Sequence, residues 1–252
     1  MDILSVLFRW LHIAAGILWI GLLYWFNFVN IPFAATMDGD TKKKVVPELL
    51  PRGLYFFRWA AVWTWVTGLL LLILVFYHGG LMFEEGMGGW NAVSIIMVIL
   101  SLGMFGIYDQ LAKSNLGKNL KVFGAVGLIV IVVMMYLMIS VAEFSYRAYV
   151  IHIGTMFGSI MAANVWMRIW PAQRKIIPAI KEGTAPDAAL VAQAGQRSRH
   201  NTYLSVPLVY AMVNMHTVVP GSESPVYLIV AILVGWGLVA FMYSKAGKVK
   251  GL

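Results

Sequence analysis

Seven long apolar segments dominate this sequence and limit what it can fold into. They occupy residues 4–34, 53–77, 90–111, 122–142, 148–170, 203–219 and 226–243. An α-helix needs about 20 mainly apolar residues to cross the hydrocarbon core of a bilayer, and each segment approaches or exceeds that length. We therefore predict an all-α, polytopic membrane helix bundle with about seven transmembrane helices, in which residues 1–252 form a single integral membrane domain.

The composition agrees with this class and excludes several kinds of site. Hydrophobic residues make up 60% of the chain and charged residues 12%, whereas soluble domains have roughly 25% charged residues. The absence of cysteine excludes disulfides, iron–sulfur clusters and covalently attached c-type haem. Basic residues of membrane proteins collect in cytoplasmic loops, so we interpret the net charge of +8 as a sign of topology and expect no nucleic-acid partner.

The distribution of charge between the loops predicts the orientation. Lysines and most arginines lie in the first, third and fifth loops and in the C-terminal tail, whereas the second loop carries Glu84 and Glu85. By the positive-inside rule, the N-terminus is outside and the C-terminus is cytoplasmic, in agreement with an odd number of spans. We expect the long fifth loop, residues 171–201, to form a short cytoplasmic surface helix, and the alternative is a simple solvated connector.

Four of the five histidines are predicted to lie at the outer end of the bundle. His12 lies near the outer end of the first helix, and His78 at the outer end of the second. His152 lies near the start of the fifth helix and His216 near the end of the sixth, whereas His200 lies on the cytoplasmic side. Ionisable side chains inside a bilayer are costly and often mark functional sites. The convergence therefore predicts a site in the outer leaflet.

Helical spacing places three of these histidines on faces turned toward other helices, because residues at i+3, i+4 and i+7 share a face. The expected companions are Ser5, Arg9, Gly16, Trp19, Asn27 and Asn30 for His12; Thr155, Met156, Ser159, Ala163 and Trp166 for His152; and Thr202, Ser205, Val209 and Met212 for His216. On a neighbouring face of the fifth helix, Gly154, Gly158 and Ala162 allow another backbone or a flat ring to approach closely.

Three roles fit these histidines: ligands of haem b, ligands of copper or a similar metal, and hydrogen bonding between helices. We favour haem b, because the small residues make room for its macrocycle. His12, His152 and His216 are the candidate iron ligands, two of them axial, and His78 is a weaker cofactor-binding candidate.

Two arginines stand at the same predicted membrane surface. Arg9 and Arg147 are candidates for binding haem propionates or an anionic substrate through charge-assisted, bidentate contacts. The alternative for both is an ion pair with Glu143, Glu84 or Glu85.

Three stretches of the sequence resemble a known family. They are "WLHIAAGILWIGLLYWFNFVNIPF" in the first helix, "HIGTMFGSIMAANVWMRIWPAQRK" in the fifth and "RHNTYLSVPLVYAMVNMH" leading through the sixth. Together they resemble the N-terminal membrane domain of bacterial cytochrome c urate oxidases, or urate hydroxylases, and the resemblance covers nearly the whole chain. The first stretch is also similar, more weakly, to copper-resistance membrane proteins and to membrane protoporphyrinogen oxidases.

The resemblance implies a urate-oxidase-like oxidoreductase in the bacterial cytoplasmic (inner) membrane, acting on a purine-like or other small anionic substrate. In full-length family members an external cytochrome c domain takes the electrons removed from urate. Because this sequence has no CxxCH motif, we expect a separate cytochrome c or redox partner subunit on the outer side. The alternative is a non-catalytic anchor or electron-relay subunit of a larger respiratory or dehydrogenase complex. Copper transport or storage is a weaker alternative, since the chain lacks cysteine.

Overall fold

A computed structural model describes residues 3–86, 88–216 and 224–249. Within these ranges the chain is almost entirely helical and has no strand, which confirms the all-α fold class. The α-helices are α1 (Ile3–Tyr24), α2 (Ile31–Thr36), α3 (Gly39–Leu71), α4 (Ala92–Gly103), α5 (Phe105–Lys113), α6 (Leu120–Ser140), α7 (Tyr146–Asn164), α8 (Trp170–Glu182), α9 (Ala188–Asn214) and α10 (Pro225–Ala246). The other helical elements are three π-helical segments, Trp25–Asn30, Leu72–Tyr77 and Val165–Ile169, and one 3-10 helix, Asn115–Lys118.

Five helical stretches of the described chain are long and apolar enough to cross a membrane. They are Ile3–Thr36, Gly39–Tyr77, Leu120–Ser140, Tyr146–Glu182 and Pro225–Ala246. A sixth is formed if α4 and α5, which meet at a bend of 52°, make one span. The structure is therefore compatible with a multi-pass membrane protein.

The predicted span over residues 203–219 does not add to this number. Its first part is the C-terminal half of α9, and residues 217–219 lie outside the described residues. The N-terminal half of α9 is polar, with Arg197, Arg199 and His200 close together. α9 is therefore not among the helices that are long and apolar enough to cross a membrane. The number of seven spans remains a prediction.

The connection between the first two spans is much shorter than the sequence indicated. Only Met37 and Asp38 separate α2 from α3. Asp38 begins α3 as its N-cap, because its carboxylate accepts hydrogen bonds of 2.8 Å from the backbone N–H and from the hydroxyl of Thr41. Pro47 and Pro51 lie inside the helix, so prolines that marked a loop in the sequence are accommodated within α3.

The fifth connection is a packed helical hairpin and not a solvated connector. α8 ends at Gly183, which adopts the left-handed conformation with φ of 73°. α9 begins five residues later, and a small apolar core lies between the two helices, formed by Ala172, Ile176 and Ala194. This packing explains why the segment is ordered helix on both sides of a short turn.

The chain divides into two compact units. The first comprises Met1–Leu69, Met161–Ser205 and Gly235–Leu252, and the second comprises Leu70–Ile160 and Val206–Val234. His12 and Arg9 belong to the first unit, whereas His78, His152, His216 and Arg147 belong to the second. The prediction of a single integral domain over residues 1–252 stays a prediction.

Candidate functional site

The face of α1 that carries His12 is turned toward protein, as the sequence predicted. Ser5, Trp19 and Asn27 are all buried, whereas Trp10 and Ile17, on the opposite face, are 66% and 70% exposed. His12 itself is half-buried. The polar and small residues of the first helix therefore mark its protein-facing side.

α3 holds the imidazole of His12. Nδ1 of His12 lies 2.8 Å from the backbone carbonyl oxygen of Thr64 and 3.3 Å from Oγ1 of Thr67. A carbonyl oxygen can only accept, so Nδ1 carries the proton and Nε2 carries the lone pair. Among the described residues, none forms a hydrogen bond with Nε2. Metal-binding histidines commonly have this arrangement, because the Nδ1–H bond fixes both the tautomer and the ring orientation.

A glycine in α3 makes room for the same ring. A Cβ atom placed on Gly68 would lie 2.9 Å from Cε1 of His12 and 3.2 Å from Nδ1. Both distances are shorter than ordinary van der Waals contact, so a larger residue would push the imidazole away. Thr64, Thr67 and Gly68 thus form a cradle for His12.

His152 is completely buried in the second unit. Its Nδ1 donates to the carbonyl oxygen of Ala148 at 2.7 Å, one turn earlier in α7. Its Nε2 lies 3.1 Å from the hydroxyl oxygen of Tyr77 and accepts the hydroxyl proton. The rings of Phe76 and Phe144 flank the imidazole, with centroid distances of 6.4 and 5.2 Å. His152 therefore has the same tautomer as His12, but a protein partner at Nε2.

The remaining candidates lie at the surface of their units. His78 and Arg147 are exposed, and Arg9 is half-buried. His216 is exposed in the turn that follows α9, two residues after that helix ends. The helical-face argument therefore does not extend to His216, and the ligand roles predicted for these side chains stay predictions.

The ion pairs of the described residues do not include Arg9 or Arg147. Ion pairs join Lys43 to Asp40, Arg52 to Glu48 and Lys113 to Asp109, for example. The acidic side chains that the sequence offered as alternative partners, Glu84, Glu85 and Glu143, also lie outside these pairs.

No group of three histidine, aspartate or glutamate side chains that could hold a metal ion occurs in the described part of the chain. Haem iron needs only two axial imidazoles, so a haem site would not require such a group of three side chains.

The stripe of small residues on α7 is covered by α9. A Cβ atom on Gly154 would lie 3.0 Å from Cβ of Ala211, and one on Gly158 would lie 3.8 Å from Cδ1 of Leu208. Of the two uses that the sequence left open, a neighbouring helix or a flat ring, these contacts correspond to the neighbouring helix.

A buried polar network in the first unit centres on Asn27. Its side-chain nitrogen donates to the carbonyl oxygen of Leu23 at 2.8 Å and to Oγ of Ser198 at 2.9 Å. Its Oδ1 accepts a hydrogen bond of 2.9 Å from the hydroxyl of Tyr243. The sequence placed Asn27 on the protein-facing side of the first span, but its partners on α9 and α10 could not be read from helical spacing.

A second amide pair in the same unit joins α7 to α9. Nδ2 of Asn164 donates to Oδ1 of Asn201 at 2.8 Å, and Nδ2 of Asn201 donates to the carbonyl oxygen of Met161 at 2.9 Å. Both asparagines are completely buried. Hydrogen bonds of this kind between helices stabilise membrane bundles.

His200, which the sequence placed on the cytoplasmic side, is buried. Its exposed fraction is 4%, and that of Arg197, one turn earlier in α9, is 1%. Burial, together with the positive charges of Arg197 and Arg199, lowers the pKa of His200 to about 4. His200 lies outside both the predicted span and the five apolar stretches, and it is neutral at physiological pH.

The sequence matches the model of a protein family described as "Urate oxidase N-terminal" over residues 37–249. The matched region includes His78, His152, His216 and Arg147, whereas Arg9 and His12 precede it. Searches of curated proteins and of solved structures gave no match. Because the family model covers most of the chain, this protein belongs to the urate oxidase N-terminal family.

Proposed function

We propose that this chain is a haem-b-containing membrane oxidoreductase module, related to the membrane domain of urate hydroxylases, that passes electrons to a separate cytochrome or partner subunit. Family membership supports a urate-oxidase-related membrane domain. The observation that most supports haem b is that His12 and His152 share the same tautomer. Both donate Nδ1–H to a backbone carbonyl, which leaves Nε2 as the atom with a lone pair for iron.

The donor set of the chain fits haem b better than a bare metal ion. Imidazole nitrogen is a common axial ligand of haem iron, and the chain has no cysteine for a thiolate ligand. His12 and His152 are candidate iron ligands, each within its own unit. His216 is a third candidate, and the exposed His78 is the weakest.

Hydroxylation of urate removes two electrons, and the side chains of this protein cannot store them. Haem b would accept these electrons one at a time. The residues of the chain would bind and orient the reactants. Arg9 and Arg147 supply positive charge for propionates or for a planar anionic substrate. The Thr64 carbonyl oxygen and Gly68 fix the orientation of His12.

We also propose that the chain crosses the bacterial inner membrane about seven times, with its N-terminus outside and its C-terminus in the cytoplasm. The five or six apolar stretches support several crossings. The loop charges favour this orientation. Cysteine accessibility from each side of intact cells, at residues 38 and 248, would test it, because both positions should be reachable only from the cytoplasm.

The optical spectrum of the purified protein tests the cofactor. We expect detergent-solubilised protein from haem-replete cells to show a Soret band and a reduced α-band typical of two imidazole ligands. A colourless preparation would contradict the proposal. Reduction of the bound haem on anaerobic addition of urate would support the enzyme. An intact spectrum without reduction would instead favour an anchor or relay subunit.

Histidine variants test the ligand assignment. His12→Ala and His152→Ala should each lose the spectrum or shift it. His200→Gln is the matched control, because His200 is also buried but lies on the cytoplasmic half of α9. Equal spectral effects of all three substitutions would mean that loss of folding, and not loss of an iron ligand, causes them.

A further inference from the structure

Arg58 lies in the apolar part of α3 and has no acidic partner among the described residues. It is the sixth residue of the predicted span 53–77, so its Cα lies about 8 Å along the helix from the start of that span. Within the described chain its guanidinium forms no hydrogen bond or ion pair, and its Nε is buried. An arginine inside a bilayer is costly unless an anion balances its charge.

The sequence offers no carboxylate near this arginine. α3 meets α7 and α8 at Arg58, and there is no aspartate or glutamate from residue 49 to 83 or from 144 to 181. Apart from Asp2, the acidic residues of the first unit lie at 38–48 and 182–187, outside the apolar parts of these helices. The counter-charge for Arg58 is therefore expected to come from outside the protein.

Aromatic rings hold the guanidinium of Arg58 at the surface of the unit. Its Cζ lies 4.0 Å from the ring centroid of Trp170 and 5.6 Å from that of Tyr55. Trp166 lies beside it at 5.7 Å and donates its Nε1–H to the backbone carbonyl oxygen of Arg58 at 2.9 Å. Tyr55 and Met167 are 51% and 56% exposed, so this surface faces lipid when the helices cross a membrane. Tryptophan and tyrosine are enriched at the level of the lipid headgroups.

We propose that Arg58 binds the phosphate group of an anionic phospholipid in the cytoplasmic leaflet. Side chains of an α-helix lean toward its N-terminus, and the N-terminal end of α3 is cytoplasmic in the topology proposed above. The guanidinium can thus extend to the headgroup level, stacked on Trp170, while its N–H groups contact phosphate oxygens.

An anionic headgroup fits this position better than a zwitterionic one. The neighbouring stretches of α3, α7 and α8 contain no carboxylate that could bind the ammonium group of a zwitterionic lipid. Basic positions on the cytoplasmic side of membrane proteins attract anionic lipids. The inference rests on the proposed topology and not on the proposed haem.

Lipid binding by the purified, delipidated protein tests the site. Native mass spectrometry in detergent gives the dissociation constants of the first bound phosphatidylglycerol and of the first bound phosphatidylcholine. We expect Arg58→Gln to weaken phosphatidylglycerol binding about 10-fold or more, as a lost hydrogen bond to a charged group does. Binding of phosphatidylcholine should change much less. Arg58→Lys keeps the charge but not the stacked, forked geometry, and its affinity for phosphatidylglycerol should lie between those of wild type and Arg58→Gln.

Arg52→Gln is the matched control. It removes a guanidinium from the same helix, but Arg52 is exposed and pairs with Glu48 at 3.0 Å. A surface charge of this kind should weaken phosphatidylglycerol binding by less than about 5-fold.

Three results would overturn the inference. Equal losses of phosphatidylglycerol affinity in Arg58→Gln and Arg52→Gln would mean that only the summed surface charge matters. A lower thermal midpoint of Arg58→Gln with unchanged lipid affinity would mean that Arg58 serves only to stack on Trp170. Displacement of phosphatidylglycerol by millimolar inorganic phosphate would identify a soluble anion as the ligand. If Arg58→Gln does not fold, wild-type lipid affinity in Arg58→Lys would overturn the stacked geometry, and a loss would support it. None of these outcomes depends on whether the protein binds haem.

Discussion

Gly68→Ala should weaken the haem binding that we propose, and it should lower stability only moderately. The new Cβ atom would lie 2.9 Å from Cε1 of His12, and the shortest comfortable separation is 3.4 Å. The imidazole must therefore retreat by about 0.5 Å from α3. That movement disturbs the 2.8 Å hydrogen bond from Nδ1 to the carbonyl oxygen of Thr64.

The expected magnitudes differ for stability and for binding. Overpacking costs about 1–3 kcal/mol, and a weakened hydrogen bond between membrane helices costs about 0.6 kcal/mol. Replacing glycine by alanine inside a helix returns about 1 kcal/mol. The net loss in free energy of unfolding should thus be about 0.6–2.6 kcal/mol. Loss of the group that orients a metal-binding histidine, however, typically lowers affinity about 10- to 100-fold.

Haemin titration and thermal unfolding in detergent would measure the two effects separately. Gly16→Ala is the matched control, because its Cβ atom would lie 3.7 Å from Cγ2 of Thr64, an ordinary contact. It should leave haemin affinity unchanged. If Gly68→Ala bound haemin with wild-type affinity and an unchanged spectrum, the cradle would not determine how His12 functions.

Three other predictions concern packing and pH. Asn27→Leu should lower the thermal midpoint, since it removes the buried amide that binds the half-buried hydroxyls of Ser198 and Tyr243, at a cost of about 1 kcal/mol for each hydrogen bond lost. An unchanged midpoint would show that the network is not stabilising. Gly154→Val should destabilise the protein, whereas Gly158→Ala should be tolerated, because only a Cβ atom at position 154 would lie as close as 3.0 Å to an atom of α9. Similar thermal midpoints for the two variants would contradict the close approach of α9. The pKa of His200 is about 4 in the folded protein and 6.5 in the unfolded chain. The stability that neutral His200 contributes is therefore complete above pH 6.5 and is lost as the pH falls toward 4. The free energy of unfolding falls by at most about 1.4 kcal/mol per pH unit over this range. His200→Gln should flatten this part of the profile of thermal midpoint against pH, and an equally steep profile would show that another group titrates there.

Helical periodicity predicted the protein-facing side of α1 correctly but not the partners of its residues. Polar and small residues in an apolar helix face other helices, so Ser5, Trp19 and Asn27 could be assigned from spacing alone. Their contacts depend on which helices are neighbours and at what height. The cradle of His12 left a partial signal in the sequence, because Thr64, Thr67 and Gly68 are spaced at i, i+3 and i+4 in an otherwise apolar span.

The connecting segments were predicted less well because their helices are stabilised by caps and local packing. The sequence from residue 37 to 52 contains prolines, glycine and charge, which favour a loop, yet the Asp38 cap begins a helix there. The hairpin of α8 and α9 depends on contacts among Ala172, Ile176 and Ala194. Those alanines carry little hydrophobic signal in the sequence. The burial of His200 likewise follows from packing that no charge pattern reveals.

The π-helical segments affect how this chain should be aligned with its relatives. A π turn bonds i to i+5 and holds more residues than an α turn. The extra residue is absorbed within the π turn, so deleting one residue from Leu72–Tyr77 would let the helix continue as α with the later side chains in nearly the same orientation. A one-residue gap in this segment would therefore record the loss of a π turn and not a shift in the register of the residues beyond it, although in an alignment it resembles an ordinary variation in length.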